Sequence, residues 1–448
     1  AYEISLGLVG SEMCIRDRLW TDQFQRPDDL PITTNFPRDV DVAIVGSGYT
    51  GLCAARVLRK SGASVAIFDR NTVGWGASSR NGGMATPGLK RDITEIYKKY
   101  GREKGQEFWK ASIAAIDLIE NIVTEENIDC DWSRVGHVAL ANKQSQYDGL
   151  EDYANWIYKE FGHKKKIITR EELYTEIGTD IYFGGLADET SGGIPPAKYV
   201  YGLARAVGNQ GTSILENTSV NKIEKNEKNF LVITSAGDLT AKQVIIATNG
   251  YTGKLVPQLK RRVIPVGSYI IATEPLAKEL QDKLSPKKRM FYDLKWFINY
   301  YRITQDGRML WGGRNDLSID LDLEESAILL SHQLTEVFPE LQDVPITHTW
   351  SGQLGVTFDL MPHIGQIDGI YYANGYSGHG LSIATYLGTE LGLLLTGKKK
   401  SSPFAEIPHQ TMFFYRDKSW FLPIVSRYYR FLAVSYTHLR AHETEADL

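Results

Sequence analysis

Between residues 39 and 70 the spacing of apolar positions changes twice. Val40, Val42, Ile44 and Val45 form a β-rich apolar run that predicts a buried strand. Gly46-Ser-Gly48-Tyr49-Thr50-Gly51 follows directly, and Leu52, Ala55, Val57 and Leu58 then recur at helical spacing until Gly62. SVAIFD returns to an unbroken apolar run, which predicts a second buried strand. Strand, glycine turn, helix and strand in this order predict a dinucleotide site. Gly46 permits the turn, Gly48 lets a pyrophosphate approach the backbone, and Gly51 lets the helix pack on the strand. The helix start, through Tyr49 and Thr50, turns its partial positive charge toward phosphate. Asp69, 23 positions after Gly46 and followed by Arg70, ends the second strand where a carboxylate can accept hydrogen bonds from a ribose.

Two further stretches break all periodicity. VGWGASSRNGGM, residues 73–84, has too many glycines for a regular element, so its backbone is expected to run close to something. A solvent loop is the plainer reading. Against it, Arg80 and Asn81 precede Gly82-Gly83 and would present donors to a pyrophosphate or a ring carbonyl. GYSGHG, residues 375–380, is followed by an apolar helical run from Leu381. Gly378 and Gly380 allow close backbone approach there, and the helix start favours a group that gains negative charge. His379 has no second ligand at metal spacing, so no metal site is expected. It reads as a packed or ligand-contacting residue, with a catalytic base as the alternative.

The overall balance excludes several classes. At 448 residues, two domains or one large composite are expected. A net charge of -4 argues against a nucleic-acid partner, and no window approaches 18 consecutive apolar residues. Cys14, Cys53 and Cys130 make no disulfide framework, which suits a reducing, cytoplasmic setting. Residues 1–18 and 434–448 look like translated adapter sequence and are expected to be non-native tails.

GWGASSRNGG resembles the second signature of the D-amino-acid-oxidase-like superfamily of FAD-dependent amine oxidoreductases, and the similarity extends over roughly residues 19–432. Within that superfamily, the NGY at 249–251 and GYSGHG resemble the gamma-glutamylputrescine oxidase group. The resemblance implies an α/β chain: a Rossmann-like FAD-binding domain interleaved with an antiparallel-sheet substrate domain. Segments 19–94, 186–260 and 346–433 would build the first, and 95–185 and 261–345 the second. It implies non-covalent FAD held by the residues named above and by Gly76, Ala77, Ser78, Val220, Thr248 and Gly250. VIIATNGYT, 244–252, would return to the FAD domain, and NYYRITQDGRMLWGG, 299–313, would be a strand pair of the substrate domain turning at Asp306-Gly307.

Amino-acid-oxidising members of the superfamily carry an arginine for the α-carboxylate in a W-x-G-x-R-P-x-T-x-D stretch. Here Trp350, Gly352, Thr357 and Asp359 match, but Leu354 stands at the arginine position and Gly355 at the proline. An isobutyl group cannot replace a bidentate guanidinium. The expected substrate is therefore a small-molecule amine. Its nitrogen must be neutral to give up hydride from the adjacent carbon, which costs roughly 4.6 kcal/mol at pH 7 for an alkylamine of pKa about 10.4. Desolvation against Leu354, Trp350 and Phe358 would lower that cost. Strand alternation puts Tyr300 and Arg302 on one face, where either could grip a distant carboxylate; core tyrosines and a surface ion pair are the alternative. The lysine that activates oxygen in the sarcosine-oxidase branch aligns with Leu310, leaving O2 and a quinone-type carrier both open as acceptor. Rival readings are an amino-acid oxidase working through Arg302 and a non-catalytic flavin relay.

Overall fold

The computed structural model describes residues 18–314, 317–319, 321–416 and 419–428. The second adapter-like stretch, all but residue 18 of the first, and Cys14 lie outside the described residues. Five parallel strands form a sheet in the order Ile370–Asn374, Asp238–Ile246, Asp39–Val45, Val65–Phe68 and Ser213–Leu215. His363–Ile367 closes one edge in antiparallel fashion. Asp39–Val45 is covered on both faces, which is why its sequence is a near-continuous apolar run rather than an alternation. Val220–Lys225 and Phe230–Thr234 form an antiparallel meander with Asp238–Ile246 and cover one face.

Helices Tyr49–Lys60, Pro196–Asn209 and Gly380–Leu395 share the core on the opposite face. Helix Ile93–Glu125, kinked where Gly101 adopts φ +83°, buries Phe108, Ile116 and Ile119 in the same core as Ile44 and Leu387. That helix lies in the 95–185 range assigned from sequence to the substrate side, yet it packs with the nucleotide-side helices. Its apolar stripe needs a helical surface, and the nearest one belongs to the other sheet.

The second sheet runs Ile346–Val356, Ile264–Pro275, Arg308–Gly313, Tyr300–Ile303, Met290–Asp293, His137–Leu140, Gly185–Asp188 and Lys166–Ile168. Its neighbours are antiparallel except Met290–Asp293 against His137–Leu140, where the two separate segments of chain meet. The predicted hairpin is present, with Gly307 N–H donating to Thr304 O at 3.0 Å. Helix Leu323–Val337 covers one face, where Tyr301 stacks on Trp311 at 4.3 Å against Phe338. Alternation then turns Tyr300 to the opposite face, toward the nucleotide sheet. Among the described residues no helix is long and apolar enough to cross a membrane.

Candidate active site

A cavity of about 1260 Å³ is lined by residues of both sheets. That exceeds what one small ligand fills and leaves room for a dinucleotide with a second molecule. At the nucleotide end, Gly46 adopts φ +108°, and a Cβ on Gly51 would stand 2.0 Å from Gly46 O. Gly51 does not line the cavity; it seats the helix on the strand. Asp69 Oδ2 accepts from Ser47 N–H (2.9 Å) and Ser47 Oγ (2.7 Å), and its Oδ1 accepts from Asn71 N–H (3.0 Å). Ser47, absent from the sequence prediction, thus ties the glycine turn to the acidic strand end. Thr218 N–H donates to Asp69 O at 2.7 Å and brings Val220 to the same end, where Arg70 is exposed at the rim.

Gly76, Ala77, Ser78, Arg80, Asn81 and Gly82 line the cavity, but two of these side chains serve differently from expectation. Arg80 donates to Trp75 O (2.9 Å) and Ser351 O (3.0 Å), with Trp75 stacked beneath its guanidinium. Asn81 donates to Ala77 O (3.0 Å) and accepts from Gly83 N–H (2.9 Å). Both side chains therefore brace the loop, and its open backbone is what remains for a ligand. Thr248 lines the cavity. Gly250 and Gly83 do not: the first lies under the Leu354 backbone, and the second makes room for Arg302.

Two helix starts open on the cavity without a side-chain cap, at Gly48 and at His379. Tyr49 N–H at the first donates to Ser78 Oγ (3.1 Å), and the remaining orphan N–H groups suit a pyrophosphate and a ring that gains negative charge. Gly378, Gly380 and Leu381 line the cavity beside the second. Burial, helped by the charge of Lys90, pushes the His379 imidazole down to about 4, so the ring is neutral at physiological pH. Its Nδ1 is buried without a partner among the described residues, which suits contact with a ligand.

On the opposite wall stand Tyr300, Leu354, Ser268, Gln353 and Tyr292. Tyr300 lies over Gly82 and Gly312, and its hydroxyl is 3.3 Å from Ser268 Oγ. Burial raises its pKa, which keeps it a protonated donor. Three expectations fail here. Arg302 shares the face of Tyr300, but two residues along a strand is about 6.6 Å, and the guanidinium instead donates to Ile194 O (3.0 Å) over the Trp20 ring. Trp350 is fully buried and donates from Nε1 to Arg80 O (2.8 Å), so it backs the wall rather than lining it. Phe358 packs against Tyr415 and Phe421, while Asp359 holds His363 (3.1 Å) and pins the loop. Replacing Arg302 by leucine is accordingly expected to cost about 1–3 kcal/mol of stability through the stranded Ile194 carbonyl. Thermal unfolding should register that loss while the half-saturating substrate concentration stays unchanged.

Among the wall residues that escaped the sequence reading are Lys90 and Arg314. For Arg314 the signal was position, since it directly follows the Gly312-Gly313 end of strand Arg308–Gly313.

A Rossmann-like sheet, a glycine turn under an uncapped helix and an enclosed wall opposite define a dinucleotide-dependent oxidoreductase. The chain belongs to the FAD dependent oxidoreductase (DAO) family, whose model matches residues 41–392. It is 34% identical to gamma-glutamylputrescine oxidoreductase of Escherichia coli K12 over 84% of this chain and 88% of that protein. It is 35% identical to "Probable oxidoreductase OrdL" of Haemophilus influenzae over 78% of this chain and 81% of that protein. Among solved structures, glycine oxidase from Geobacillus kaustophilus shares the fold, with a TM-score of 0.72 at 21% identity over 84% of this chain and all of that one. The protein is thus an FAD-dependent enzyme of a family acting on C–N bonds, which removes the non-catalytic relay.

Proposed function

We propose that the enzyme oxidises the C–N bond of an amine without an α-carboxylate, of the gamma-glutamylputrescine type, and that water then splits the imine to an aldehyde and a nitrogen product. The observation that carries this is Leu354 on the cavity wall, in register with Val266, where a carboxylate-binding arginine is absent. The gamma-glutamylputrescine oxidoreductase relative bears that substrate's name, which supports the same reading. The Gly46–Gly48 turn, Asp69 and the two uncapped helix starts would hold FAD, which supplies the two-electron oxidant when bound. Leu354, Tyr292 and Tyr300 desolvate the amine and favour its neutral form. His379, neutral, accepts or donates one hydrogen bond without adding charge.

Anaerobic mixing of the flavoprotein with a panel of amines tests this. Mono- and diamine derivatives should bleach the flavin absorbance at least tenfold faster than matched D- or L-amino acids, given the strength of a missing bidentate pair. Bleaching by α-amino acids alone would overturn the proposal.

A further inference from the structure

Lys90 and Arg314 both line the cavity and both are partly buried, yet neither makes a hydrogen bond or ion pair with any described residue. The other cations on the wall are accounted for. Arg80 and Arg91 donate to backbone carbonyls, Lys165 pairs with Asp188 at 2.6 Å, Lys222 pairs with Glu224, and Arg70 and Lys254 are exposed to water. The uncompensated pair stands on the substrate wall: Arg314 is electrostatically coupled to Tyr300 and to Lys90, and Lys90 to His379. Burial and the neighbouring guanidinium push the Lys90 ammonium down to about 8, so it is still mostly charged at neutral pH. Two like charges on one cavity wall, each partly shielded from water, are unfavourable until an anion joins them.

The geometry points to an anion site: we infer that Lys90 and Arg314 bind a carboxylate carried by the substrate, remote from the amine that reacts. This rests on the amine-oxidoreductase reading and narrows it to amines with an acidic far end. Arg314 offers a planar fork suited to a carboxylate, and Lys90 adds a point charge beside it. The cofactor's pyrophosphate is not needed to explain the pair, because the Gly46–Gly48 turn with its own helix start stands ready for phosphate. The same cations disfavour an ammonium on a bound amine, which helps keep the reacting nitrogen neutral.

The test compares glutarylputrescine with N-butyrylputrescine, which differ in the terminal carboxylate, and adds ornithine as an α-carboxylate control. In the holoenzyme, glutarylputrescine should half-saturate at a concentration at least tenfold lower than N-butyrylputrescine. Arg314→Met should bring that ratio close to one, Lys90→Met should lower it by less, and Arg314→Lys should restore part of it. Equal half-saturation in the wild type, a preference for ornithine, or an unchanged ratio in both variants would overturn the site. So would loss of flavin with an unchanged ratio in the protein that retains it. A second readout separates this from the function proposal: glutarate, which cannot be oxidised, should perturb the flavin absorbance of the wild type and do so far more weakly in Arg314→Met. If no amine bleaches the flavin but glutarate still binds in this manner, the amine reading fails and the anion site stands. If amines bleach it and glutarate has no effect that depends on Arg314, the anion site fails alone.

Discussion

Gly51→Val is expected to purify with on the order of a tenth of the wild-type flavin or less. A Cβ at this position would lie 2.0 Å from Gly46 O and 3.2 Å from Ile44 Cγ2. The first distance involves backbone, so the strain cannot be relieved by turning a side chain. Either the glycine turn or the helix must retreat by more than an ångström. The helix is confined on its far side, because Gly388 of the neighbouring helix already approaches Thr50 O so closely that its own Cβ would stand 2.4 Å away. The turn therefore yields, and with it the backbone that Ser47 ties to Asp69. Tight packing makes such a shift costly, on the order of 1–3 kcal/mol or more. The absorbance ratio of flavin to protein measures the outcome. If the variant fails to fold, Gly48→Val provides the second check: Gly48 lines the cavity, and its Cβ would meet only Ser78 Oγ, at 2.8 Å. It should lose flavin while the apoprotein unfolds cooperatively. Full flavin content in both variants would mean that the cofactor is held elsewhere.

Leu354→Arg should shift turnover toward α-amino acids and away from amines by at least tenfold. Leu354 belongs to strand Ile346–Val356 opposite Val266, lines the cavity and packs against the apolar cluster of Ile264, Val266, Tyr415 and Leu422. A guanidinium there could hold an α-carboxylate, an interaction worth a few kcal/mol when bidentate and shielded. The same charge is added to a cavity whose wall already carries Lys90 and Arg314, so the variant should also be less stable and bind plain amines less well. The ratio of bleaching rates for a diamine derivative and a matched amino acid is the measurement. An unchanged ratio, with flavin retained, would show that this wall position does not face the reacting carbon.

The strand–turn–helix–strand start was legible because each of its parts has a local cause. Continuous apolar runs give buried strands, the 3.6-residue spacing gives the helix, and Gly46 and Gly51 are needed where a Cβ would collide with backbone. The hairpin at Asp306-Gly307 and the opposition of Tyr300 to Tyr301 followed from turn chemistry and strand alternation for the same reason. Family resemblance added the cofactor, and the family match establishes it. Alternation could name the face on which Arg302 stands but not how far along that face the cavity reaches. Only the packing of Gly83, Ile194 and Trp20 decides that Arg302 is enclosed by protein. Trp350 and Asp359 match the family spacing, yet their neighbours in space turn one into a support for Arg80 and the other into a partner of His363. Lys90 and Arg314 are 224 positions apart and carry no motif. The chain determined by itself which segments are strands and where the dinucleotide turn falls, because those depend on residues close in sequence. Which charges face the substrate was decided by tertiary structure, because that depends on which side chains find a partner across the two sheets and which do not.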